Sequence, residues 1–87
     1  MRKISESDLG DLLGDELPPL VAKSENDNTE SAVALKRLPS CFVLGISCDL
    51  DDRLELYAID DEASAWNAYE CHCALMDHTG RPFADSV

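Results

Sequence analysis

At 87 residues the chain has room for one domain, which by size scaling buries about 63% of the surface its unfolded form exposes. A net charge of −11 repels nucleic-acid phosphates and anionic lipid and attracts basic surfaces, so direct nucleic-acid or membrane binding is not expected. An apolar share of 45% argues against a disordered chain, and no apolar run approaches the roughly 20 residues that span a bilayer.

The charge is unevenly spread. Residues 1–30 carry eight acids against three bases, and "DLDDRLELYAIDDE", Asp49 to Glu62, carries seven acids against Arg53 alone. Residues 31–48 are weakly basic through Lys36 and Arg37. The start, "MRKIS", leads into "ESDLGDLL" rather than an apolar run, so no secretory leader is read there. A cytoplasmic, reducing setting is therefore the default expectation, with the four cysteines as thiols.

Residues 1–7 are expected to form a flexible end. Ser5 or Ser7 can then cap a short helix carrying Leu9, Leu12, Leu13 and Leu17, weakened by Gly10 and Gly14 and ended by Pro18-Pro19. "SENDNTE", Ser24 to Glu30, reads as a polar loop. "TESAVALKRLP" follows as a second short helix. Thr29 or Asn28 would cap it, Glu30 suits its first turn and Lys36 and Arg37 its last, with Ala32, Leu35 and Leu38 facing inward before Pro39.

The best-defined section comes next. "CFVLGISCDL" alternates Phe42, Leu44, Ile46, Cys48 and Leu50 on one face, a strand pattern. "DDR" turns the chain, and "LELYAI" puts Leu54, Leu56 and Ala58 on one side of a second strand, giving a β-hairpin. A lone hairpin is marginal in water. It needs a helix across one face, and a third strand from "PPLVAK" or from a second copy pairing edge to edge.

Asp60, Asp61 and Glu62 open the last helix, where its dipole favours anions, and Gly80 stands where a C′ glycine belongs. Residues 79–87 are expected as a flexible tail. The expected fold is thus a single α+β domain over residues 1–87: short N-terminal helices, a β-hairpin extendable to three strands, and a C-terminal amphipathic helix packed on the sheet.

The last helix contains a Cys-His-Cys triplet, Cys71 to Cys73. At about 100° per residue, Ala65, Trp66, Ala68, Tyr69, His72, Cys73, Leu75 and Met76 share one half of the helix, and Asn67, Glu70, Cys71, Ala74, Asp77 and His78 the other. A zinc site from Cys48, His72 and Cys73 would need the hairpin against the helix and has no clear fourth ligand. Cys41 and Cys48 point to opposite faces of a strand. Asn67, Cys71 and His78 share a face, but Cys71 and His78 lie about 10 Å apart along the axis, beyond hydrogen-bond reach. Packing is the plainer reading: Cys73 and His72 in the core stripe, His72 bonded to a backbone carbonyl, and Cys71 a surface thiol.

Other motifs fail on their own geometry. "GISCD" puts Asp49 where a nucleophile elbow needs glycine, and it runs into a hairpin rather than a helix. Asp49, Asp51 and Asp60 fall on calcium-loop positions, but Leu54 replaces the required glycine. "LGDLL", Leu9 to Leu13, fits a groove-docking pattern that any leucine-rich amphipathic helix also produces. No catalytic, metal or cofactor site is therefore expected, and the chain reads as a non-enzyme.

The leading functional expectation is a small acidic binding or inhibitory protein that docks a basic surface of a partner protein. Its carboxylates can stand in for nucleic-acid charge, the size and charge class of phage anti-defence proteins, immunity proteins and antitoxins. Asp49, Asp51, Asp52, Glu55, Asp60, Asp61 and Glu62 are the expected partner-binding residues. The alternatives are a zinc or thiol module on Cys48, His72 and Cys73, and a structural subunit of a larger assembly. A homodimer is a further expectation.

Overall fold

The computed structural model describes residues 2–13 and 19–83 and shows an α+β fold on one five-stranded antiparallel sheet. In chain order the elements are β1 (Arg2–Ile4), α1 (Glu6–Leu13), β2 (Leu20–Asn26), β3 (Ser31–Arg37), β4 (Phe42–Cys48), a 3-10 turn at Asp49–Asp51, β5 (Arg53–Ile59) and α2 (Glu62–Thr79). The sheet runs β1-β5-β4-β3-β2. Strands β2 to β5 therefore form a meander, and β1 adds along the outer side of β5.

The expected hairpin is β4 and β5. Phe42, Leu44, Ile46 and Cys48 alternate toward α2, and all are buried. Leu54, Leu56 and Ala58 do share one side of β5, but it is the side away from α2. The register sets Leu44 opposite Tyr57 and Ile46 opposite Glu55, so Arg53, Glu55, Tyr57 and Ile59 are the residues of β5 on the helix side.

The expected second helix is a strand instead. Ser31–Arg37 pairs with β2 on one side and β4 on the other, with Val33 and Leu35 fully buried under α2. Alanine, leucine and lysine favour a helix locally, yet a central place in a sheet overrides that preference. The period-2 signal, Val33 and Leu35, is masked because Ala32 and Ala34 between them are also apolar. Those alanines face away from α2, where small side chains suffice. "PPLVAK" does contribute to a strand, β2, which also takes in Ser24 to Asn26 from the expected polar loop and leaves residues 27–30 as the turn.

Both helix starts are capped by the chemistry of their sequence. In α1, Ser5 Oγ accepts from the Asp8 N–H, and Asp8 Oδ2 accepts from the Ser5 N–H, both at 3.1 Å. This is a reciprocal capping box. In α2, Asp61 accepts from the Ser64 N–H at 2.8 Å. Gly14, Leu17 and Pro18, placed by sequence at the end of the first helix, lie outside the described residues.

α2 crosses one face of the sheet and closes the main core, where Ala65 and Met76 pack on Val33, Leu35, Phe42, Leu44, Ile46, Cys48 and Ile59. A smaller cluster of Ile4, Leu38, Cys41, Val43, Leu56 and Ala58 lies on the other face, with Leu9 of α1 against it. The described residues at either end of the fold are engaged. Residues 2–4, expected as part of a flexible end, supply β1. Beyond α2, Pro82 and Phe83 are buried, and residues 84–87 lie outside the described residues.

Gly80 fastens the end of α2 to the β2–β3 turn. Its φ of 79° is left-handed, its N–H returns to the Met76 carbonyl at 2.9 Å, and its carbonyl accepts from Thr29 Oγ1 at 2.5 Å and Ser31 Oγ at 3.2 Å. A Cβ here would stand 2.8 Å from Thr29 Cγ2. Gly80→Ala therefore combines backbone strain with a clash against a side chain pinned by its own hydrogen bond. We expect it to lower the free energy of unfolding by about 1–3 kcal/mol, measurable as a fall in the urea midpoint at constant m-value.

Candidate functional site

The helix triplet resolves into packing. His72 is buried, its Nδ1 donates to the Pro82 carbonyl at 2.6 Å, and its ring stacks on Tyr57 with centroids 6.4 Å apart. Cys73 is half-buried beside the main core, and Cys71 is exposed. Cys48 is fully buried and donates to the Thr29 carbonyl at 3.4 Å, while Cys41 sits in the cluster on the other face. Cys48, His72 and Cys73 are not brought together as ligands: no group of three or more metal-ligating side chains forms among the described residues. Asn67, Cys71 and His78 all face solvent on the outer side of α2.

The seven acids singled out by sequence fall into three settings. Asp49, Asp51 and Asp52 sit at the β4–β5 turn, and Asp60, Asp61 and Glu62 at the opposite end of β5, about 20 Å away by strand rise. Glu55 lies between them but is buried. Its carboxylate accepts from Arg53 Nε at 2.6 Å and from the Tyr57 hydroxyl. Burial pushes this carboxyl up, and the bonds from Tyr57 and Arg53, with the charges of Arg53 and Lys3, outweigh that and hold it below the usual range.

At the α2 end, much of the acidity is spoken for. Asp61 caps the helix, its carboxyl held low by the Ser64 bonds, and Glu62 pairs with Arg37 at 3.2 Å. The β4–β5 turn is different, because the fold brings a second acidic segment beside it. Ser31 is opposite Cys48 in the sheet, and the Asp49 N–H donates to the Glu30 carbonyl at 3.0 Å. The β2–β3 and β4–β5 turns therefore stand side by side. Glu25, Asp27, Glu30 and Asp49 line one shallow concavity of about 450 Å³ between them, together with Lys23.

Two of the carboxylates at this end are neutralised locally, Glu25 by Lys23 at 2.7 Å and Asp51 by Arg81 at 3.2 Å. Asp27, Glu30, Asp49 and Asp52 are exposed and make no ion pair among the described residues. Glu30 and Asp52 occupy left-handed turn positions, with φ of 52° and 49°. Sequence reasoning missed Glu25, Asp27 and Glu30 as partners of the Asp49–Asp52 run. The signal was available: once residues 31–37 are a strand antiparallel to 42–48, the turn before one must adjoin the turn after the other.

No helix among the described residues is long and apolar enough to cross a membrane. Comparison of the chain with known protein families, with curated proteins and with solved structures gives no match.

Proposed function

We propose that this is a small non-enzymatic binding protein that docks its carboxylate-rich end on a basic surface of a partner protein, standing in for nucleic-acid charge. One observation carries the reading: two hairpin turns, distant in sequence, place Asp27, Glu30, Asp49 and Asp52 together, exposed and without ion pairs among the described residues. Such a concentration of like charge strengthens the field over that end of the molecule and steers a cationic surface onto it. Asp51 and Glu25 extend the patch once a partner's cations compete with Arg81 and Lys23.

The test is affinity capture from cells at low salt, comparing the natural chain with an Asp27→Asn/Glu30→Gln/Asp49→Asn/Asp52→Asn variant. The natural chain should hold a basic protein that is shed as salt is raised past the point where the Debye length falls below about 10 Å. The variant should hold at least about tenfold less of it. Equal capture by both chains, or a partner whose retention ignores salt, would sink the proposal.

A further inference from the structure

The two edges of the sheet differ. β1 closes one with three residues, whereas β2 presents seven residues and no strand lies beyond it among the described residues. An open edge strand is a template for another strand. From the charge pattern on β2 we infer that its partner is a second copy of this chain, paired antiparallel through β2 about a two-fold axis at Ser24.

Symmetry and the pleat restrict the choice. An antiparallel pair of identical edge strands is related by an axis normal to the sheet, which keeps each residue on its own face, so the axis must pass midway between one residue and its own counterpart. Centred on Lys23, the pairing opposes two lysines. Centred on Glu25, it opposes two glutamates. Centred on Ser24, it sets Lys23 of each copy opposite Glu25 of the other, with Ser24 facing Ser24 and Ala22 facing Asn26. Like charges directly opposite disfavour a pairing and unlike charges favour it. Lys23 and Glu25 are half-exposed and already pair within one strand at 2.7 Å. Two copies would close a square of alternating charge.

The helix side of this edge points the same way. Ser24 Oγ lies 2.8 Å from the Tyr69 hydroxyl, and Tyr69 meets Trp66 edge to face at 5.8 Å. Val21, Ala22, Trp66 and Tyr69 are all only partly buried against the main core. The edge therefore carries apolar surface that a second copy, with its own α2 on the same side, would help to cover.

Sedimentation equilibrium over a concentration series tests the register through charge swaps. The natural chain should dimerise. Lys23→Glu and Glu25→Lys should each weaken the dimer by about tenfold to a hundredfold, since each reversal affects two symmetric pairs. The Lys23→Glu/Glu25→Lys double variant should regain it, and a mixture of the two single variants should form a heterodimer. Glu25→Lys is decisive, because it also makes the chain two units less acidic: general charge repulsion predicts a stronger dimer, whereas the Ser24 register predicts a weaker one. Unchanged circular dichroism would show that the variants fold. A natural chain that stays monomeric throughout, or a dimer indifferent to the single reversals, would overturn the inference.

Discussion

Leu44→Ala is expected to lower the free energy of unfolding by about 3–5 kcal/mol, and Leu54→Ala by less than about 1 kcal/mol. Both remove the same atoms from strands of one hairpin. Leu44 is fully buried on the central strand, flanked by Leu35 on β3 and Tyr57 on β5 and roofed by α2. Truncation there loses the transfer term and also leaves a cavity that a three-sided setting cannot collapse. Leu54 is 49% exposed on the face away from α2, beside Ala32, Ala34, Gly45 and Ser47 along a shallow groove. Its loss leaves no void. Urea unfolding of the two variants at an unchanged m-value measures the difference. Comparable losses at both sites would mean that the groove face is also a packed core in solution.

That contrast marks what was legible in the sequence. The alternation of Phe42, Leu44, Ile46 and Cys48 identified a strand and its buried face, and the angular layout of α2 separated Ala65, His72 and Met76 from Asn67, Cys71 and His78. Those patterns have large side chains on one side and polar or small ones on the other. The period of a strand tells which residues share a face and not which face meets the helix. In β5, Leu54, Leu56 and Ala58 are the apolar set, yet the helix side is taken by Arg53, Glu55, Tyr57 and Ile59, where Arg53 and Tyr57 bond Glu55 and the Arg53 guanidinium lies over the Phe83 ring. In β3 the alanines on the second face completed a helix-like pattern. The misread strand had a second consequence. With residues 31–37 as a helix, Asp27 and Glu30 had no reason to adjoin Asp49 and Asp52, so the acidic end was legible only in halves.

Glu55 is the residue where sequence and structure differ most in meaning, and its replacement should have the second large effect. By sequence it is one more acid in a charged run. In the fold it is a buried carboxylate on the α2 side of β5, between Arg53 and Tyr57 on the same face. Arg53 in turn lies over the Phe83 ring at 4.0 Å, and Tyr57 stacks on His72, which holds the Pro82 carbonyl. The carboxylate thus orders two donors that brace the segment after α2. Glu55→Ala removes one acceptor from each of them, and we expect a loss of about 2–3 kcal/mol, less than for a fully buried pair because Arg53 is part-exposed.

Glu55→Gln separates charge from shape. It keeps an oxygen for Tyr57 but cannot titrate. The native carboxyl is held below the usual range, so the unfolded state binds its proton more readily than the native state does. The stability it contributes is complete above the ordinary glutamate value of about 4.3 and is lost as the pH falls through the depressed native value. Asp8, held low by its bonds with Ser5, and Asp61, held low by Ser64, act with the same sign and remain in the variant. Urea unfolding from about pH 7 down to about pH 3 should therefore show the natural chain losing stability more steeply on the acid side than Glu55→Gln, with the gap between the two curves narrowing as the pH falls. Parallel curves would mean that Arg53 and Tyr57 do not hold the carboxylate in its charged form.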